Sequence, residues 1–204
     1  HRLTRLRRPQ DQANFRSAGS SAANARPRCD AASFSSEVSS AAVRDVPAGH
    51  RLSREARFLS TVSLLNLGQY QEAFERLERL NTASPDSALL NNLGVIQLRR
   101  APGATGRRAV LYFAEAAKMT PAESDLVFNL GYASWLDRDL PAAIASLREA
   151  VRRDPADAQA HYVLGAALQA SGSASEGARE KELARRLSSD LAEFDARQAG
   201  ANGV

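Results

Sequence analysis

The chain has little of what staples small folds or builds metal sites. Its single cysteine, Cys29, excludes an internal disulfide framework and any zinc site made of several cysteines. Cys29 follows Arg26-Pro27-Arg28 rather than the small apolar residues of a lipid-attachment site, and is read as an ordinary thiol. The three histidines, His1, His50 and His161, lie far apart and show no metal-ligand spacing. No apolar run approaches the roughly 18 residues needed to cross a bilayer. No glycine-rich phosphate loop follows a strand, because no segment reads convincingly as a strand. Of the 27 basic residues only Lys118 and Lys181 are lysines. That arginine bias reflects codon composition as easily as phosphate recognition.

What is present is enough apolar material to bury a core: 44% of 204 residues, room for one repeat array and a tail. The charge is uneven. Residues 1–50 carry all of the net +4, and the remainder is neutral. Residues 1–30 are rich in Arg, Ser, Ala and Pro without a sustained period, which predicts an irregular segment. Residues 31–46 read as a short helix with Phe34, Val38, Ala41 and Ala42 on one side, broken by Val46-Pro47-Ala48-Gly49.

From Leu52 onward the chain repeats. Gly131 and Gly165 stand 34 positions apart, each after a leucine, and Pro121 and Pro155 are separated by the same interval. Each interval contains a helical pattern, a short polar break, a second helical pattern and a closing proline. The units run over 52–86, 87–121, 122–155 and 156–189. The second holds Leu90, Leu93-Gly94, Ala109, Phe113 and Pro121; the third holds Val127, Leu130-Gly131, Ala143, Leu147 and Pro155. The fourth keeps His161, Leu164-Gly165, Leu168, Gly177 and Ala184 but lacks a closing proline, and the first has Ser60-Thr61 where the others have Leu-Gly. Gly94 to Ala109 spans 15 positions against 12 for Gly131 to Ala143, which puts three extra residues in the turn of the second unit.

A glycine inside a helix costs about 1 kcal/mol against alanine. Gly94, Gly131 and Gly165 are therefore expected where the partner helix crosses closely, with Ala109, Ala143 and Gly177 facing them. Beyond the array, Leu183, Leu187, Leu191 and Phe194 form a stripe. It belongs either to one long helix or to two, with Ser189-Asp190 and Glu193 supplying a capping box at a new start. Residues 190–199 are then a capping helix over the last repeat, and 200–204 a tail.

These residues and the 34-residue period resemble the tetratricopeptide repeat (TPR). The resemblance implies an all-α fold, an α-solenoid of stacked antiparallel helix pairs, in a style close to bacterial members. It also implies a concave groove lined by the first helix of each unit. Carried onto this chain, the groove positions are Phe58, Val62 and Leu65; Asn91, Val95 and Leu98; Phe128, Tyr132 and Trp135; and Tyr162, Ala166 and Gln169. Phe128, Tyr132 and Trp135 share one helix face at i, i+4, i+7. They are either exposed anchors for a ligand or packing residues between neighbouring helices. Asn92 and Asn129 lie where such repeats commonly carry Asn. The groove positions hold no lysine or arginine, which argues against a ligand held by its C-terminal carboxylates.

The first functional reading is a non-catalytic scaffold that binds a peptide or another protein in the groove. No enzyme and no cofactor are expected: Asp137, Asp139, Glu176 and Glu180 are scattered, and His161 has no nucleophile at a motif spacing. The second reading is the interaction arm of a larger enzyme or regulator, since the chain begins with His1 rather than Met. The third is an anionic surface or nucleic acid bound by Arg2, Arg5, Arg7 and Arg8; nucleic acid is not the favoured partner. The cytoplasm is the expected compartment, or the periplasm if a signal peptide preceded His1.

Overall fold

The computed structural model describes residues 53–100 and 107–193. Within them are eight helices: α1 (Ser53–Asn66), α2 (Tyr70–Ala83), α3 (Ser87–Arg100), α4 (Arg107–Met119), α5 (Ser124–Leu136), α6 (Leu140–Arg153), α7 (Ala158–Ala170) and α8 (Ala174–Leu187). The expectations for residues 1–50 and for the glycines of the second turn fall outside the described residues. The insertion itself is visible in the helix bounds, since α3 and α4 are joined by residues 101–106, whereas three residues join each of the other pairs.

The helices pack as consecutive pairs. α1 lies on α2, α3 on α4, α5 on α6 and α7 on α8, and each first helix after α1 also packs on the second helix of the unit before it. First helices touch one another along their edges, α3 with α5 and α5 with α7. This regular advance is the expected α-solenoid, and among the described residues no strand interrupts it.

The two kinds of helix differ in composition because they differ in neighbours. A second helix buries one stripe, Ala109, Phe113 and Ala116 in α4 and Ala143, Leu147 and Ala150 in α6, at i, i+4, i+7. A first helix is enclosed on several sides, so α3 buries ten residues in a run broken only at Gln97. Starts and stops are written locally. Asp139 accepts the Ala142 N–H at 3.1 Å with Pro141 in the first turn, and Asp157 accepts from both Gln159 and Ala160. Pro85, Pro121 and Pro155 are exposed just beyond helix ends, where a missing N–H costs little.

Three of the turns within pairs are built alike. Gly68, Arg138 and Gly172 have φ of 76°, 66° and 93°. The residue after each donates to the carbonyl five back: Gln69 to Leu64, Asp139 to Ser134 and Ser173 to Leu168, at 2.9, 3.0 and 2.9 Å. The third unit makes this left-handed turn with arginine, which no feature of the sequence indicated.

The crossing within each pair is close, but its partners differ from those expected. A Cβ on Gly94 would stand 2.6 Å from the Phe113 ring, and one on Gly131 would stand 2.8 Å from Leu147 Cγ. The residues pressed against these glycines are thus one turn beyond Ala109 and Ala143. The alanines are buried, but the ridge carrying the bulky residue fills the gap. In the fourth unit the expectation holds: Gly165 faces Gly177, and each would place an added Cβ within 2.7 Å of the other's carbonyl oxygen.

The C-terminal stripe is also corrected. α8 stops at Leu187, and Ser188, in an extended conformation, caps a new helical turn over 189–193 by accepting the Leu191 N–H at 3.4 Å. The cap is Ser188, not Ser189-Asp190. The break turns Leu191 inward, 3% exposed beside Tyr162 and Ala184, while Leu183 and Leu187 remain exposed. Phe194 and the rest of 194–199 lie outside the described residues.

On the outer surface Glu149 receives hydrogen bonds from Arg152 and Arg153, which hold its carboxyl down at about 2. Arg153 also donates to the Pro121 carbonyl, joining the third unit to the end of the second.

Gly165→Ala gains about 1 kcal/mol of helix propensity but drives a methyl into backbone, an overpacking cost of about 1–3 kcal/mol. It is expected to lower stability, read as a lower urea midpoint at unchanged slope. Arg138→Gly removes a left-handed penalty of about 1–2 kcal/mol and adds about 0.5–1 kcal/mol of unfolded-chain entropy. The same measurement is expected to show a raised midpoint.

Candidate functional site

The positions expected to line a groove lie on the four first helices, α1, α3, α5 and α7. Phe58 is half-buried on α1, where Leu65 is buried; the side chain of Val62 lies outside the described residues. On α3, Asn91 and Val95 are 0% exposed and Leu98 is buried as well. On α5, Phe128 and Tyr132 are buried at 1% and 5%, while Trp135 is half-buried. On α7, Tyr162 is buried, Ala166 is half-buried and Gln169 is exposed.

The aromatic trio on α5 is one continuous row. The Phe128 and Tyr132 rings stack at 6.2 Å and 17°, and Tyr132 meets Trp135 at 5.9 Å and 42°, distances at which such pairs attract beyond their buried area. Of the two readings of this trio, burial favours packing for Phe128 and Tyr132 and leaves surface only on Trp135. Leu98, Trp135 and Gln169 are corresponding positions on successive first helices, and exposure at that position increases from α3 to α7.

Beneath the row runs a polar link. Asn129 Nδ2 donates to Asn91 Oδ1 at 2.7 Å, joining α5 to α3 with both residues 0% exposed. Asn92, also buried, donates to Ala88 O at 2.7 Å, and its Oδ1 has no hydrogen-bond partner among the described residues. The sequence offered Asn92 and Asn129 as corresponding residues. The bond instead pairs Asn129 with Asn91, which spacing alone does not reveal.

The fourth unit closes differently. Tyr162 packs with Ala184 and Leu191, apart from the main core, and Lys181 Nζ stands 5.3 Å above its ring. His161, 6% exposed, spans Glu180 Oε2 from Nδ1 at 2.6 Å and the Pro155 carbonyl from Nε2 at 3.0 Å. It is a packing residue with two hydrogen-bond partners. On the side formed by second helices, Phe74 meets Tyr112 edge-to-face at 6.4 Å, and Arg100 stands 5.1 Å over Phe74. Burial raises the Tyr112 hydroxyl's pKa, Glu78 adds to that rise and Arg108 opposes it. Among the described residues no three His, Cys, Asp or Glu side chains gather as metal ligands, and no helix is long and apolar enough to cross a membrane.

With this geometry in hand, the family profile described as "Tetratricopeptide repeat" matches residues 106–158 and 137–190. Residues 106–190 carry tetratricopeptide repeats. Solved structures agree on the fold. A MamA double mutant (RS-1 ArsTM) superposes with TM-score 0.67 at 20% identity, over 76% of this chain and 85% of that one. MamA 41-end from Desulfovibrio magneticus RS-1 gives 0.64 at 17%, over 78% and 97%. YrrB, described as a TPR protein with an unusual peptide-binding site, gives 0.66 at 17%, over 80% and 84%. No curated protein matches in sequence.

The tetratricopeptide array places the profile's matched residues on α4 to α8, where the period is undisturbed. Its α3–α5 junction depends on the buried Asn pair, since a buried amide that loses its partner costs about 1–3 kcal/mol. A double-mutant cycle on Asn91→Ala and Asn129→Ala is expected to give a coupling energy of about 1 kcal/mol or more, measured by denaturant unfolding. Strict additivity would mean that the bond contributes nothing to stacking.

Proposed function

We propose that the chain is a non-catalytic interaction scaffold, and that a peptide or partner protein lies along the face formed by its first helices. The observation that supports this reading is the aromatic row of α5, which begins buried at Phe128 and ends at half-buried Trp135. A rigid aromatic held from below and wetted at its tip has the form of an interface anchor. Exposed Gln169 occupies the corresponding position on α7 and offers an amide for the main chain of an extended ligand. Half-buried Phe58 lies at the other end, packed against the core that holds Val95 and Leu98. Tyr162 supports the last unit from beneath.

The peptide-binding site named for YrrB lends this reading support by analogy of fold. The groove positions contain no cation, so a ligand of apolar or mixed side chains fits better than an acidic terminus. Lys118 and Lys181 both sit on second helices, α4 and α8.

Peptides selected by display panning against the chain are expected to alter the fluorescence of Trp135, the only tryptophan. Trp135→Ala with Gln169→Ala is expected to weaken labelled-peptide binding by roughly 30-fold, the effect of losing a residue worth about 2 kcal/mol, while circular dichroism at the assay temperature shows the array still folded. Unchanged affinity in that variant would place the ligand elsewhere.

A further inference from the structure

The second helices carry an apolar feature that packing within the array does not use. Among the described residues the exposed large apolar side chains all lie on them: Leu111 at 68% and Met119 at 45% on α4, Leu183 at 42% and Leu187 at 45% on α8. They also share a register. Positions 34 apart correspond in successive units, so Met119, Arg153 and Leu187 are one position, and Leu111 and Leu183 lie eight and four residues before it. Spacings of four and eight keep these residues in a single stripe along each helix.

Beside the stripe runs a row of cations. Lys118, Arg152 and Arg186 correspond in the same way, directly precede Met119, Arg153 and Leu187, and are each more than two-thirds exposed. Together α4, α6 and α8 carry ten arginines and lysines against five glutamates, whereas α5 and α7 contain no lysine or arginine. Basic residues near a helix C-terminus interact favourably with its dipole, and each of the three pairs with a glutamate one turn back. That accounts for the cations. It does not account for leucine and methionine at exposed positions beside them, where facing water is unfavourable.

We propose that this outer face docks on an anionic lipid bilayer, its leucines and methionine entering the interface while Lys118, Arg152 and Arg186 meet the headgroups. The inference is independent of the groove reading, which concerns the first helices. Apolar side chains set among cations are what holds a surface in a membrane interface, and each cation close to an anionic leaflet adds attraction. Lysine and arginine suit the arrangement because their stems are apolar and their heads stay at headgroup level. Charge decides between occupants. Two copies meeting through this face would oppose like charges, whereas lipid phosphates complement them. Breadth points the same way. The whole third unit separates Leu111 and Met119 from Leu183 and Leu187, so a peptide anchor meets one pair while a bilayer surface meets both.

The test floats the full chain with vesicles of phosphatidylcholine and phosphatidylglycerol, and with vesicles of phosphatidylcholine alone. The chain is expected to float with the anionic vesicles, less so as salt rises, and to stay behind with the neutral ones. Leu183→Ser with Leu187→Ser is expected to lower the partition coefficient about tenfold. Lys118→Gln, Arg152→Gln and Arg186→Gln together are expected to lower it similarly and to flatten the salt dependence. Circular dichroism identifies which of these variants remain folded, and either one suffices. Residues 1–50 carry a net charge of +4 of their own, so a further variant with Arg2→Ser, Arg5→Ser, Arg7→Ser and Arg8→Ser separates the two sources. Binding lost in that variant but kept in the leucine and cation variants would overturn the proposal. So would equal flotation with neutral vesicles, or none with either kind. A dimer in light scattering that Leu183→Ser with Leu187→Ser dissolves, without flotation of the intact chain, would assign the face to a second copy and overturn it as well.

Discussion

The structure depends on how closely the two helices of a unit can cross. Gly165 and Gly177 meet backbone to backbone, so nothing but hydrogen separates the two chains there. Gly94 and Gly131 give the same proximity to a side chain, admitting the Phe113 ring and Leu147 into the space that a Cβ would fill. Each glycine loses helix propensity of about 1 kcal/mol, and that loss is offset by fully burying a large apolar group worth about 1.5–3 kcal/mol. Once the angle and distance within a pair are set, the next pair can stack only in the same way. The face of the first helices, and any function it carries, inherits its regularity from these contacts.

The elements most visible in sequence were those set by local rules. The 34-residue period, the prolines past helix ends and the three-residue insertion between α3 and α4 needed only spacing to be read. What stayed hidden depends on partners distant along the chain. Nothing local says that Phe113 rather than Ala109 opposes Gly94, because that choice is made by the rotation of α4 about its axis. Arg138 adopts the conformation of Gly68 and Gly172 because the turn's hydrogen bonds define it, whatever residue is there. Ser188 ends α8 one residue before the expected cap, which sends Leu191 inward and leaves Leu183 and Leu187 outside.

The site was legible as a face but not as a surface. Periodicity put Phe128, Tyr132 and Trp135 on one side of α5; it had no means of grading them from buried to half-exposed. Similarly, Asn129 was visible as a repeated residue, but its bond to Asn91 requires knowing how α3 and α5 approach. Burial depends on what else covers a face, and that information lies in the whole fold.

Among the described residues no further helix pair packs on the fourth unit. In the second and third units the position facing the glycine is filled by Phe113 or Leu147, buried because another unit follows. In the fourth the corresponding residue is Lys181, whose stem packs toward Gly165 while its ammonium lies over Tyr162. A lysine can do this because its stem is apolar and its head can reach water. His161, held between Glu180 and the Pro155 carbonyl, replaces the purely apolar contact at the same level with directed bonds from α7 to α8 and to the preceding turn. In this unit directed polar contacts supply some of the order that apolar packing provides in the second and third. At the position shared by Leu98, Trp135 and Gln169 the side chain passes from buried to half-buried to exposed, while α5 and α7 each bury eight residues.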